Sequence, residues 1–301
     1  MKAFPTYEHK GRIFSLPYHL PEGKSGKFSV SVEFKAAGTR LPVVSMRNAL
    51  FMGLKATVLT LDEPIGVHTL KESGAGTWMS SLPQEVEQHT RQLAKMRGKV
   101  LVGGLGLGLA VGLLDRNPNV AKVVVVERSK DVIKLVGAHL PKGKVSVIQA
   151  DIYQYLHHAR NFGVEFNSVF LDTWCPTGER VLEEDVMPLR RLCQGIVPNH
   201  RIECWNEDEM IGQVKMGCQT ALGGYLATDL PQDSPFKAWT ACDDDTFHRN
   251  KRGIGVSWYY VHWLRTVRPK AEAALQGLEA FVRACKDPAE FDTWVAGGPV
   301  R

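Results

Sequence analysis

The residues of this chain whose types and spacing suit chemistry are a glycine cluster and three later acids. The cluster is Gly103-Gly104-Leu105-Gly106-Leu107-Gly108, and the acids are Glu127, Asp151 and Asp172. Glycine lets the backbone turn sharply and approach a ligand, because no Cβ intervenes. A helix starting behind such a turn offers free N–H groups to polar ligand atoms. Glu127 lies 23 residues after Gly104, directly behind four valines. An acid there can accept both hydroxyls of a ribose. Asp151 stands 24 residues further on, behind VSVIQA. It can accept from an exocyclic amine such as that of adenine, while Ile152 packs on the ring. Asp172 follows SVFL and faces the reacting end of such a ligand, where it can take or steer a proton. Trp174 offers an aromatic face, which favours a cation. A single acid after a strand is usually a helix cap, whereas three in succession point to a nucleoside.

These residues need strands and helices to place them. Val100-Leu101-Val102 reads as a strand, followed by a helix over about 107–115. Strands follow at 122–126, 145–149, 168–171 and near 201–205. Helices are expected at 130–138, 152–159, 184–193 and 207–222. Such alternation predicts a parallel sheet with right-handed crossovers, whose strand C-terminal ends share one ligand-binding edge. The turn does not complete the dinucleotide pattern G-x-G-x-x-G. Starts at Gly103, Gly104 and Gly106 fail at Leu105, Leu109 and Val111 respectively.

Upstream, residues 28–34 alternate apolar and polar as a half-buried strand does. Residues 56–61 and 65–70 flank Asp62-Glu63-Pro64 as a hairpin or two short strands. Ser80-Ser81-Leu82-Pro83-Gln84-Glu85 opens a helix on which Val86, Leu93 and Met96 share an apolar side. Downstream, the WYYVHWL stretch within 258–268 predicts a buried helix or strand, its aromatics serving as core. Residues 271–285 predict an amphipathic helix with Leu275, Leu278, Phe281, Val282 and Cys285 on one side. The partition expected is an irregular arm (1–27), a small β region (28–78), the α/β domain (79–224) and a C-terminal extension (225–301).

The chain has 301 residues, is 44% hydrophobic and carries a net charge of +5. Its basic residues are dispersed. The densest run, His248-Arg249-Asn250-Lys251-Arg252, follows Asp243-Asp244-Asp245 and reads as a solvated mixed-charge loop, so nucleic acid is not indicated. Six cysteines, at 175, 193, 204, 218, 242 and 285, form no CxxC, which predicts reduced thiols and a cytoplasmic protein. Cys242 and His248 can be imagined as metal ligands, but no metal is expected. The polar start predicts no signal peptide, and no apolar run is long enough for a membrane span.

The stretches VLVGGLGLG, VVVVERSKDVI, VIQADIYQYL and VFLDTWCP resemble the class I S-adenosylmethionine-dependent methyltransferases, particularly the spermidine-synthase-like branch. WMSSLPQEVEQH resembles the lead-in helix of that branch, and the likeness covers about residues 56–205. It implies a Rossmann-like methyltransferase sheet with a small N-terminal β region and a mainly helical C-terminal extension. It implies S-adenosylmethionine as cofactor, with Gly104, Gly106 and Gly108 against its methionine part, Glu127 at the ribose and Asp151-Ile152 at the adenine. Asp172 would lie near the sulfonium and the acceptor; independently of the resemblance, the aromatic face of Trp174 could stack on either of them. The function implied is methyl transfer to a nucleophile that the sequence does not identify, and a homodimer is compatible with it. Aminopropyl transfer is the alternative within the family, and a non-catalytic partner-binding scaffold the alternative outside it. Polyamine synthases carry an aspartate where Leu107 stands, and D-x-x-D-P where this chain has Asp172-Thr173-Trp174-Cys175-Pro176. Losing the second acid argues against holding a diamine cation.

Overall fold

Two compact units divide the chain: Met1–Cys175 with Leu192–Trp205, and Pro176–Arg191 with Asn206–Arg301. The computed structural model describes residues 6–174, 178–227, 244–249 and 251–297. The first unit opens with an antiparallel pair, β1 (Glu8–His9) and β2 (Arg12–Ile13), and a strand, β3 (Gly23–Ser25). The lead-in is thus more ordered than its polar composition suggests. Tyr7, Phe14, Leu16 and Leu20 anchor it, all buried. Then come β4 (Phe28–Lys35), β5 (Arg40–Val44), α1 (Met46–Met52), β6 (Thr57–Thr60), β7 (Ile65–Glu72) and β8 (Gly76–Ser80). Strands β3-β4-β7-β8 form one antiparallel sheet and β5-β6 another. The segments flanking Asp62-Glu63-Pro64 are therefore two strands in different sheets, not a hairpin. Each finds its partner elsewhere, β6 on β5 and β7 on β4 and β8.

Helix α2 (Pro83–Leu93) leads into β9 (Gly98–Gly103), α3 (Leu109–Arg116), β10 (Val120–Glu127), α4 (Lys130–Val136), β11 (Val145–Gln149), α5 (Ile152–Asn161) and β12 (Ser168–Leu171). The chain returns to this sheet as β13 (Ile202–Cys204). All pairings are parallel, in the order β11-β10-β9-β12-β13. Counted from β9 this is 3-2-1-4-5, a doubly wound sheet whose order reverses between β9 and β12. Val100, Leu101, Val102 and Val123 to Val126 are at most 5% exposed, as strands covered on both faces require. Val86, Leu93 and Met96 of the lead-in segment are buried in the same cluster as Val100 and Val102.

The second unit contains α6 (Glu179–Val181), a π turn at Leu182–Val186, most of α7 (Met187–Cys193), α8 (Glu207–Leu226), α9 (Asp244–Arg249), α10 (Lys251–Ile254), α11 (Ser257–Val267), α12 (Ala271–Ala284) and α13 (Pro288–Val295). WYYVHWL is thus helical. Its Tyr260 and Trp263 pack with Phe281 and Trp294 in an aromatic core. On α12 the inward side is Ala274, Gly277, Leu278, Phe281 and Ala284. Leu275 is corrected to the outer side at 51% exposed, since the stripe runs 274-277-278-281. Of the basic run, His248-Arg249 and Lys251-Arg252 lie in helices and not in a loop, while Asn250 lies outside the described residues. Lys251 Nζ donates to the Tyr259 hydroxyl at 2.5 Å and pairs with Glu183. Arg190 and Glu207 form a buried two-point ion pair, both hydrogen bonds 2.6 Å.

Candidate functional site

Gly103 closes β9, and its carbonyl accepts the Asp172 N–H at 2.8 Å, tying the glycine turn to the end of β12. The turn then takes positive φ at Gly104 (+91°), Gly106 (+51°) and Gly108 (+69°). A Cβ on Gly104 would overlap the Asp172 carbonyl oxygen, so neighbouring backbone already demands glycine there. Leu105 N–H donates to Glu127 Oε2 at 2.9 Å, and Leu107 N–H points at Met79 Sδ, 3.3 Å away. The buried Tyr18 hydroxyl donates to the Leu107 carbonyl, and burial pushes its pKa up. Helix α3 starts with Gly108 as its N-cap and no side-chain cap. Its first-turn N–H groups are left to solvent or a ligand.

Glu127 ends β10. Its Oε1 accepts the Ser129 N–H at 2.7 Å, while Oε2 holds the turn at Leu105. A carboxylate offers about four lone-pair positions, so two backbone donors leave one on each oxygen, which suits the two hydroxyls of a ribose. Asp151 caps α5: Oδ1 accepts from Tyr153 N at 2.9 Å and Gln154 N at 3.2 Å. Its Oδ2 accepts no hydrogen bond among the described residues. Ile152 is buried and lies beside Gly103, where a Cβ would stand 3.2 Å from its Cγ1. The glycine turn, Glu127, Asp151-Ile152 and Asp172 thus all sit at the C-terminal edge of the sheet.

Asp172 stands at the switch point between β9 and β12, its side chain 22% exposed. Its Oδ2 lies 3.5 Å from His89 Nε2 on α2. The His89 ring is fully buried, stacked on Trp205 at 3.9 Å between centroids and tilted against Phe170. Its Nδ1 is 2.9 Å from the Glu85 carbonyl. The Glu85 carboxylate accepts from Ser80 N at 2.7 Å and from the Ser80 hydroxyl. Burial pushes Glu85 up to about 7, against those bonds and the nearby His89, with Asp172 adding to the rise. Trp174 is a packed loop residue: it is 7% exposed, and its indole N–H donates to the Trp205 carbonyl at 3.2 Å. Cys175 and Pro176 lie outside the described residues.

Sequence reading found the sheet-edge residues and missed the layer behind Asp172, namely His89, Glu85 and Trp205. The available signal was Glu85 and His89 spaced one helical turn apart. Among the described residues, no three His, Cys, Asp or Glu side chains are grouped to hold a metal ion, and Cys242 lies outside them. Cys193, Cys204, Cys218 and Cys285 are buried and form no disulfide. No described helix is long and apolar enough to cross a membrane.

No protein-family model and no curated protein matches the chain. Among solved structures, similarity extends to a Streptococcus mutans protein described as a SAM-dependent methyltransferase, at 15% identity and TM-score 0.33 over 47% of this chain and 41% of that one. A spermidine synthase in complex with the transition-state analogue AdoDATO is 16% identical, with TM-score 0.33 over 54% and 62%. Spermidine synthase from Thermotoga maritima is 14% identical, with TM-score 0.31 over 53% and 60%. The chain therefore spans less than two thirds of each of these proteins. Strand order 3-2-1-4-5, with a glycine turn behind its first strand, gives it a Rossmann-like, class I methyltransferase-like fold.

Proposed function

We propose that this chain binds S-adenosylmethionine at the C-terminal edge of the parallel sheet and directs methyl transfer to a nucleophilic acceptor. The observation that carries the reading is that the stretch 103–108 is bonded to both acidic residues of the reaction edge: to the Glu127 carboxylate through Leu105 and to the Asp172 backbone N–H through Gly103. Gly104, Gly106 and Gly108 hold the turn open, and the uncapped start of α3 meets the polar end of the cofactor. Glu127 uses its remaining lone pairs on the ribose hydroxyls. Asp151 Oδ2 accepts from the adenine amine while Ile152 packs on the ring. When bound, the cofactor supplies an electrophilic methyl group on a sulfonium whose bonding pair returns to sulfur. The chain positions the acceptor in line with that carbon, and Asp172 takes the proton the acceptor sheds. Trp174 holds the loop that carries Asp172.

Calorimetric titration with S-adenosylmethionine and its demethylated product tests this. Glu127→Ala should weaken binding by about 1.5–3 kcal/mol, roughly 10- to 150-fold, the scale for donors losing a charged acceptor. Asp172→Asn should keep most of the affinity. Once an acceptor is known, it should lose turnover by roughly 10²–10⁴-fold. No binding to the wild-type chain would sink the proposal, and preference for the decarboxylated cofactor would replace methyl by aminopropyl transfer.

A further inference from the structure

The His89 ring has one nitrogen whose protonation is fixed and one whose protonation is open. Nδ1 faces the Glu85 carbonyl at 2.9 Å. A carbonyl oxygen only accepts, so Nδ1 carries a proton. In a neutral imidazole Nε2 would then be a bare lone pair. Yet Nε2 is fully buried, makes no hydrogen bond among the described residues, and its nearest acid oxygen is Asp172 Oδ2 at 3.5 Å. A lone pair and a carboxylate oxygen repel at that distance, and the ring cannot turn away. Trp205 covers one face of it, Phe170 packs against it at an angle, and the Glu85 carbonyl holds its far edge. Among the described residues, the ionisable groups that interact with the ring are Glu85 on its own helix and Asp172 beyond β12; Trp205 and Phe170, which pack on it, carry no charge.

We propose that His89 is the positioning residue of this site: its Nε2 and Asp172 Oδ2 share one proton, and that proton fixes the direction of the Asp172 carboxylate. The assignment rests on the methyltransferase reading for its purpose but not for its geometry. With Oδ2 occupied by the shared proton, Oδ1 is the oxygen turned to the acceptor. As the acceptor's lone pair takes the methyl carbon, its N–H or O–H bonding pair stays on the acceptor atom and the proton passes to Oδ1. The imidazolium offsets the charge of Asp172 before transfer, and the acceptor's proton then leaves Oδ1 for solvent, which the 22% exposed Asp172 side chain reaches. A distance of 3.5 Å in the free protein is no obstacle, because such bonds often tighten only when ligand is bound.

The test is nitrogen NMR of the full chain with labelled histidines, the His89 signals assigned by their loss in His89→Gln. At neutral pH we expect Nδ1 protonated and Nε2 with a protonated-type shift. In Asp172→Asn the side-chain amide can donate to the ring, so Nε2 should move to the bare, pyridine type while Nδ1 stays protonated. A ring that merely fills space beside Trp205 would not change type. A pyridine-type Nε2 in the wild-type chain overturns the proposal without any Asp172 variant, as does the same Nε2 signal in wild type and Asp172→Asn. Titrating the demethylated cofactor product into the same samples separates the two readings. Failure to bind removes the methyltransferase role, while the shared proton stands or falls on the Nε2 signal alone.

Discussion

Lost hydration favours the protonated form of a carboxyl group, and for that reason Glu85 is pushed up to about 7 from an ordinary value of 4.5. Between those two values the folded chain holds a proton that the unfolded chain has released. This contribution to stability is complete below about pH 4.5, falls as pH rises towards 7, and is lost above it. Its full size is at most about 3 kcal/mol. Glu85→Gln, neutral throughout, should remove that part of the slope while keeping an acceptor for the Ser80 N–H. Urea unfolding from pH 4.5 to 8 should therefore show the variant gaining on wild type as pH rises; parallel curves would refute the shift. The sequence marks this residue only by its place near a helix start and its spacing of one helical turn from His89. Its function as a clasp on Ser80 depends on β8 ending beside α2, which is tertiary information. Asp151 is the reverse case: its local role as a helix cap was readable, because a cap needs only the two N–H groups that follow it.

At the scale of elements, the glycine turn has two kinds of glycine. Gly104 has φ +91° and a Cβ there would strike backbone, the Asp172 carbonyl. Gly106 has φ +51°, in the ordinary left-handed region, and its Cβ would meet only the mobile end of Met79, 2.7 Å from Sδ. Gly106→Ala should cost about 1–2 kcal/mol, the usual left-handed penalty. Gly104→Ala should cost about 3 kcal/mol or more, since strain and a backbone overlap add. Denaturation midpoints measured side by side decide it, and equal losses would mean the β9–β12 junction yields easily. The strands themselves were legible because continuous apolar runs allow little else, as at Val123 to Val126. Their partners in the N-terminal region were not, since β6 pairs with β5 across helix α1 and no local signal records that. The order of the lead-in was hidden for the same reason: nothing local to Tyr18 records that its hydroxyl closes on the Leu107 carbonyl 89 positions away.

On the scale of the whole molecule, the chain leaves the first unit after Cys175 and returns at Leu192–Trp205 to add β13. The return is fixed by the Trp205 N–H on the Leu171 carbonyl at 2.7 Å and by Trp205 stacking on His89. Periodicity found the strand near 201–205 but not its consequence, that the residue after it backs the reacting edge. A ligand held only by the folded first unit must stabilise that unit by mass action. At 100 times its dissociation constant the gain is about 2.7 kcal/mol. In a unit the size of the first one that corresponds to roughly 5–10 °C in melting temperature. The demethylated product of S-adenosylmethionine should therefore raise the transition in which the first unit unfolds, followed by the fluorescence of Trp174 and Trp205 in a chain whose other tryptophans are replaced by phenylalanine. Glu127→Ala at the same ligand concentration should lose about half of the rise or more, because 10- to 150-fold weaker binding lowers the ligand from 100 times its dissociation constant to between about ten times and just below it. A rise of equal size in wild type and Glu127→Ala would place the ligand away from the turn, and no rise at saturating ligand would leave the sheet edge without a nucleoside.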